Sequence, residues 1–178
     1  MKIIERKDFK SSPWAGGETD EIIIFPEGAD FKDRTFEYRI SSATCNLDSS
    51  KFSPYNGYKR FITPLDYDLI LKNSGEDLTV KPFEIYEFSG SDDVSSYSKV
   101  RDFNLILKED LAGELFTEEV RGELHLKNDV NTLIAFNYDG DLEVEDKKLN
   151  PMSAFLLGEG EEAKVKGTGK LLISKIKK

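Results

Sequence analysis

The feature that most constrains the fold of this chain is a succession of short apolar runs separated by turn residues. The runs are rich in Ile, Val, Phe and Tyr, and several alternate apolar with polar side chains, which is the two-residue period of a half-buried β-strand. No segment shows the helical period that crossovers between parallel strands would need. The sequence therefore predicts an all-β sandwich or barrel.

The predicted strands are Glu21–Phe25, Thr35–Ser41, Asp68–Lys72, Phe83–Phe88, Asp102–Lys108, Glu114–Phe116, Glu123–Lys127, Thr132–Tyr138, Asp141–Glu145, Ala154–Leu157, Ala163–Lys166 and Leu171–Ile176. The glycines of Gly167-Thr168-Gly169 predict a turn between the last two strands. A weak repeat places residues 63–68 over residues 134–139 and residues 80–90 over residues 149–158. Two related barrel halves would produce this repeat, and so would unrelated hairpins.

Charge and rare residue types exclude several classes of function. The 178 residues include 25 Lys and Arg against 34 Asp and Glu, a net charge of −9 that is spread along the chain. Nucleic-acid binding is not expected, because phosphate contacts need a basic patch. Cys45 is the only cysteine and His125 the only histidine, which excludes an internal disulfide, a cysteine-based zinc site and a His-rich metal centre. Alternation places His125 on the charged face of its strand.

The ends of the sequence contain no recognisable targeting signal. The first residues, MKIIERKDFK, lack the apolar stretch of a secretory signal, and no window reaches the roughly 20 apolar residues of a membrane span. A cytoplasmic protein without a membrane partner is expected, with the length of one domain or two small fused ones.

The first candidate binding segment is Pro13–Ile22. Its paired glycines, which include Gly17, permit close approach of the backbone, and Thr19 and Glu21 then enter a strand beside Trp14. These residues could face a pocket. The alternative, which the pattern alone favours, is a loop packed under Trp14 with glycines for turn geometry.

The second candidate is the strand that contains Arg39 and Ser41, which share one face by alternation. In a barrel, one face of each strand lines the lumen, and a guanidinium there suits bidentate binding of a carboxylate. The alternative, again favoured by the pattern alone, is a surface arginine in a cross-strand ion pair with Glu37 or Glu21.

Two further segments supply polar candidates. Arg60 heads a strand that follows a cluster of turn residues, and Asp102 and Asn104 share one face of a later strand. A carboxylate and an amide two residues apart could line a polar pocket. They could equally hold a neighbouring loop in place.

Four blocks of this sequence resemble the HutD/Ves family, in the family's order and over roughly residues 12–107. The blocks are Pro13-Trp14…Gly16-Gly17…Thr19…Glu21-Ile22, Phe36…Arg39-Ile40-Ser41-Ser42-Ala43, Phe52-Ser53…Gly57-Tyr58…Arg60 and Val100…Asp102-Phe103-Asn104-Leu105. The Trp-x-Gly-Gly form of the first block resembles the Ves-like branch, whereas HutD proteins commonly have Trp-Lys-Asn-Gly. The departure removes a Lys and an Asn from the loop.

The resemblance implies a cupin-like fold, a bicupin with two jelly-roll β-barrel halves in one compact domain spanning residues 1–178. The approximate halves are residues 1–107 and 108–178, and strands could be exchanged between them. No established reaction is implied. HutD proteins are associated with histidine utilisation, where they are thought to bind a metabolite such as formylglutamate or urocanate and limit flux, and Ves-like proteins are linked to stress responses.

Three function hypotheses remain open. Metal-dependent cupins need several histidines, so we expect neither a metal nor a cofactor. The favoured hypothesis is a metal-independent protein that binds a small acidic metabolite through Arg39 or Arg60, in a regulatory role. The alternatives are a metal-free isomerase or lyase that uses carboxylates such as Asp102 with a tyrosine, and a protein-interaction module. A homodimer is compatible with each of them.

Overall fold

The computed structural model describes residues 1–178, and nearly all of its regular structure is β-strand. A single 3-10 turn spans Arg6–Asp8. The strands are β1 (Lys2–Ile4), β2 (Lys10–Trp14), β3 (Gly17–Phe25), β4 (Tyr38–Cys45), β5 (Ser50–Lys51), β6 (Tyr58–Pro64), β7 (Leu69–Asn73), β8 (Glu76–Val80), β9 (Tyr86–Ser89), β10 (Val94–Ser96), β11 (Arg101–Lys108), β12 (Ala112–Lys127), β13 (Thr132–Asn137), β14 (Asp141–Val144), β15 (Lys147–Leu149), β16 (Ser153–Gly158) and β17 (Glu162–Lys177).

The chain divides into two compact units. Met1–Phe9 and Leu111–Lys178 form the first, here called the terminal unit, and Lys10–Asp110 form the second, the central unit. The N-terminal residues group with the C-terminal segment because β1 pairs antiparallel with β16. Whether the two units are related copies, as the internal repeat suggests, stays a prediction.

The terminal unit contains one seven-stranded sheet in the order β1-β16-β13-β17-β14-β15, with β12 paired to β17. Alternate residues of these strands form an apolar core of fully buried side chains. Its members include Leu133, Phe155 and Ile173, each 0% exposed. Burial of this kind contributes roughly 25 cal/mol for each Å² of apolar surface removed from water.

The predicted strand boundaries are wrong for β12 and β17. The sequence predicted two short strands within each, with a turn at Gly167–Gly169, but each is one continuous 16-residue strand. Gly122 pairs directly with Gly167, and both have positive φ, 92° and 120°. A Cβ at Gly167 would lie 2.1 Å from the carbonyl oxygen of Asp141, so this glycine permits the close approach of β14 rather than a turn.

The central unit contains two sheets. Six strands form one in the order β2-β3-β4-β11-β6-β9, and four form the other in the order β5-β10-β7-β8. One apolar cluster includes Leu69, Leu71 and Val94, and a second is built from Phe36, Tyr55, Tyr58 and Ile106. No helix in the structure has the length and apolar character needed to cross a membrane.

Candidate functional site

A cavity of about 550 Å³ lies within the central unit, a volume suited to a small organic ligand. One wall is the face of the six-stranded sheet formed by alternate residues of β4, β11 and β6. The rest of the lining comes mainly from β2, β3, β5 and β10, from the segment between β3 and β4, and from the segment after β5.

Strand register places two arginines on this wall. Arg39 of β4 and Arg60 of β6 both pair with Ile106 of β11, one from each side. Residues paired in this way share a face of the sheet, and two strand spacings separate their backbones by about 10 Å. Both arginines line the cavity and are only 6% and 8% exposed.

Arg39 forms a buried ion pair. Its Nε donates to Oε2 of Glu21 at 2.7 Å, and its guanidinium lies over the ring of Phe31, 4.6 Å from the ring centre. A β-bulge between Glu21 and Ile23 shifts the register of β3 against β4. The sequence analysis offered a surface ion pair between Arg39 and Glu21 as the alternative to a binding role. The partner is confirmed, but the location is wrong, because the pair is buried beside the cavity.

The protein leaves part of the hydrogen-bonding capacity of the Arg60 guanidinium unused. Its Nη2 donates to Oδ1 of Asn104 at 3.4 Å and its Nη1 to the carbonyl oxygen of Ser53 at 3.4 Å. Its Nε is buried and has no hydrogen-bond partner. Burial lowers the pKa of Arg60 to about 10, so the side chain remains a cation at neutral pH. The rings of Phe52 and Phe88 each lie 5.0 Å from its guanidinium carbon.

Asp102 and Asn104 lie on the central strand of the same wall. The Nδ2 of Asn104 donates to Oδ1 of Asp102, and both side chains line the cavity. Burial, opposed by the charge of Arg60 and by a hydrogen bond from the backbone of Ala43, raises the pKa of Asp102 to about 7. This carboxyl group therefore changes its charge near neutral pH.

The lining carries more positive than negative groups. Its cationic side chains outnumber its carboxylates by five to two, although the chain as a whole carries −9. The cations are Lys10, Lys32, Arg39, Lys51 and Arg60, and the carboxylates are Asp30 and Asp102. A positive concavity in an acidic protein favours an anion locally, because distant exposed charges are screened by salt.

The structure brings together most of the residues that the sequence singled out. Seven of the nine line one cavity, namely Trp14, Thr19, Arg39, Ser41, Arg60, Asp102 and Asn104. Glu21 does not line the cavity but forms the ion pair with Arg39. Gly17 is not part of the lining, and its place in β3 has a packing reason, since a Cβ there would lie 1.9 Å from the carbonyl oxygen of Thr44.

Several lining residues escaped the sequence analysis because they come from loops and from the second sheet. Asp30, Phe31 and Lys32 belong to the segment between β3 and β4. The hydroxyl of Tyr58 holds this segment through the carbonyl oxygens of Arg34 and Phe36, at 2.9 and 2.7 Å. Strand alternation carries no signal for such tertiary contacts.

Other polar groups lie outside the cavity. Arg101 contacts Asp20 at 3.3 Å. Nε2 of His125 lies 2.8 Å from Glu123 on an exposed part of β12. No cluster of three or more His, Cys, Asp or Glu side chains has the arrangement needed to hold a metal ion.

Comparisons with known proteins bear on family and fold. A family model described as HutD matches residues 6–173, and no curated protein matches the chain. The structure of PA5104 from Pseudomonas aeruginosa PAO1, a conserved protein of unknown function, is 25% identical and covers 99% of this chain and 98% of its own, with a TM-score of 0.84. HutD from Pseudomonas fluorescens SBW25 is 24% identical, with 99% of each chain covered and a TM-score of 0.80.

More distant structures show the same architecture. YhhW from Escherichia coli, which another structure describes as a bacterial pirin, is 8% identical over 97% of this chain and 96% of its own, with a TM-score of 0.73. At this identity the likeness is one of fold alone. The predicted all-β, cupin-like fold is confirmed, whereas its bicupin subdivision stays a prediction.

Proposed function

Because the chain belongs to the HutD family, as its sequence blocks predicted, we propose that it binds a small organic acid in the cavity of the central unit. The single observation that carries the proposal is the pair of buried guanidinium groups, Arg39 and Arg60, on one wall of that cavity. Charge-assisted hydrogen bonds to a carboxylate are stronger than neutral ones. The assignment to the Ves-like branch stays a prediction.

Arg60 is the better placed anchor. Its Nε lacks any partner, and its other two hydrogen bonds, both 3.4 Å long, lie beyond the usual range for N–H···O. A ligand carboxylate would complete this donor set. Arg39 already has Glu21 as a counter-ion. It therefore contributes to ligand binding mainly through its two remaining guanidinium nitrogens and through the electrostatic attraction of its positive charge.

The experiment is calorimetric titration of the protein with a panel of small carboxylates, including the histidine-pathway acids formylglutamate and urocanate. We expect saturable binding that weakens about tenfold or more in Arg60→Met, which removes the charge and keeps much of the side-chain length. Arg60→Lys keeps the charge but loses the planar fork, and it should bind with intermediate affinity.

Arg101→Met is the matched control. Arg101 is another arginine of the six-stranded sheet and is partly buried, but it pairs with Asp20 and does not line the cavity. This variant should bind the panel as wild type does. Absence of binding to any acid, or equal weakening in both Met variants, would overturn the proposal.

A regulatory role is the proposed use of this binding, as the resemblance to HutD proteins implies. In such a role, the fraction of protein molecules with an occupied cavity would rise and fall with the concentration of the acid. A second function has one observation in its favour, because the raised pKa of Asp102 suits proton transfer at neutral pH. Exchange of ligand C–H protons into D2O, lost in Asp102→Asn, would support a metal-free isomerase.

A further inference from the structure

The second sheet of the central unit contributes a polar group that the sequence did not single out. Ser96, the last residue of β10, lines the same cavity as the two arginines. It is 3% exposed, and its hydroxyl has no hydrogen-bond partner. A buried polar group left in this way destabilises the fold, and unpaired groups of this kind are rare in folded proteins.

Ser96 reaches the cavity lining from a different sheet than the two arginines. It pairs with Ser50 of β5 on one side and with Leu71 of β7 on the other. Three residues after Ser50, the carbonyl oxygen of Ser53 accepts a hydrogen bond from Arg60. Because three residues span at most about 10 Å, Ser50, which pairs with Ser96, and Ser53, which bonds Arg60, lie close enough for one small molecule to reach both surroundings.

We propose that Ser96 recognises a neutral polar group of the ligand, one that lies several bonds from the carboxylate bound at Arg60. The inference rests on the proposed function and narrows its ligand class. The ligand is an acid with a carbonyl, amide or hydroxyl group toward its other end, rather than a simple alkanoate. A cavity of about 550 Å³ has room for such a molecule.

The polar groups that line the cavity favour a ligand with a different chemical group at each end. The six-stranded sheet presents the charged donors of Arg39 and Arg60 to the cavity, whereas the unpaired group on β10 of the other sheet is a neutral hydroxyl. A hydroxyl can donate to a ligand carbonyl or accept from a ligand N–H. A site built to hydrogen-bond a ligand group discriminates against the analogue that lacks it, since the buried group of the protein is then left unpaired.

The test compares carboxylates with and without a distal carbonyl. The probes are pentanoate and 4-oxopentanoate, hexanoate and 5-oxohexanoate, and heptanoate and 6-oxoheptanoate. We expect at least one keto acid to bind wild type about five- to tenfold more tightly than its matched alkanoate. In Ser96→Ala this preference should fall below about twofold, while affinity for the alkanoate is retained.

Ser174→Ala is the matched control. Ser174 is also fully buried with an unpaired hydroxyl, but it lies in β17 of the terminal unit and lines no part of this cavity. This variant should keep the keto-acid preference, and thermal unfolding should show that both alanine variants remain folded.

Each outcome decides between the two proposals. If alkanoates bind and binding depends on Arg60, but no keto acid is preferred or the preference survives in Ser96→Ala, the inference about Ser96 fails and the proposed function stands. Survival of the preference in Ser96→Ala would show that a group other than the Ser96 hydroxyl recognises the ligand carbonyl. If no member of the panel binds wild type, while formylglutamate and urocanate also fail, both proposals are overturned.

Discussion

Burial pushes Asp102 and Arg60 toward their neutral forms, but with different results at neutral pH. Arg60, with its pKa lowered to about 10, stays charged, whereas Asp102, with its pKa raised to about 7, is only partly ionised. The cavity therefore becomes more positive as the pH falls below 7. This behaviour follows from the protein environment, since an exposed aspartate has a pKa of about 3.9.

Asp102 should make stability depend on pH. Between about pH 4 and pH 7 the folded protein holds a proton that the unfolded chain has released, so the free energy of unfolding contributed by this group falls as the pH rises through that interval. Asp102→Asn removes the titrating group. Urea unfolding of wild type and variant should therefore show the difference in unfolding free energy, wild type minus variant, declining from pH 4.5 to pH 7.5.

An exposed aspartate provides the comparison for that measurement. Asp139→Asn, in the exposed turn after β13, should leave the slope with pH nearly unchanged. A wild-type slope that persists in Asp102→Asn would mean that another group is responsible.

The Arg39–Glu21 ion pair gives a second prediction about single residues. Arg39→Met leaves the carboxylate of Glu21, 9% exposed, without its counter-ion, and the loss of one partner of a buried pair typically costs about 3–5 kcal/mol. The double variant Glu21→Gln, Arg39→Met should recover part of this loss in urea unfolding, because no unpaired charge remains.

An exposed ion pair sets the scale for comparison. Lys148→Met breaks a contact between Lys148 and Asp141, whose side chains are 57% and 86% exposed, and it should change stability by less than about 1 kcal/mol. A double variant no more stable than Arg39→Met would contradict the account of Glu21 as an unpaired buried charge.

At the level of elements, the start of β3 depends on a glycine. Gly17 pairs with Cys45 of β4, and a Cβ at Gly17 would lie 1.9 Å from the carbonyl oxygen of Thr44. Gly17→Ala should separate these strands locally and lower the unfolding free energy by about 2–4 kcal/mol.

The matched glycine for this prediction is Gly158 in β16. A Cβ there would meet its nearest atom, Oε2 of Glu161, at 3.6 Å, which is an ordinary contact. Gly158→Ala should change the midpoint of urea unfolding little. Equal losses in the two variants would show that the clash with Thr44 is relieved without cost.

Strand alternation explains what the sequence predicted well about these elements. It assigned Arg39 and Ser41 to one face, and Asp102 and Asn104 to one face, and the structure places all four along the cavity. It failed where strands are longer than their apolar runs. In β12 and β17 the polar middle residues and Gly167 interrupt the pattern without interrupting the hydrogen-bonded ladder.

The remaining site residues depend on tertiary contacts that have no local signature. Phe31 reaches the cavity on an irregular segment, and Ser96 comes from a three-residue strand of the other sheet. Whether their side chains point toward a cavity is decided by pairing between distant segments. The local alternation pattern of a sequence does not reveal that pairing.

For the whole molecule, the two units should respond differently to a ligand. The terminal unit is filled with fully buried apolar side chains such as Leu133 and Phe155, whereas the cavity belongs to the central unit. Binding slows the local opening of the elements that contact the ligand. Hydrogen–deuterium exchange with a saturating acid should therefore slow in β4, β6 and β11.

Strands β13 and β16 of the terminal unit provide the internal control for that experiment, since they should exchange at nearly the same rate with and without the acid. Protection confined to those strands would contradict a site in the central unit. Protection of β10 as well would agree with the role inferred for Ser96.

Trp14 lies on the lining of the cavity and is 40% exposed, and it is the only tryptophan in the chain. The indole emission of this protein therefore originates from one place, on the lining of the cavity proposed to hold the acid. An occupant that displaces water from the indole would change the wavelength or intensity of that emission. The protein thus carries its own optical reporter, which allows occupancy to be followed without a label and without any assumption about which acid is bound.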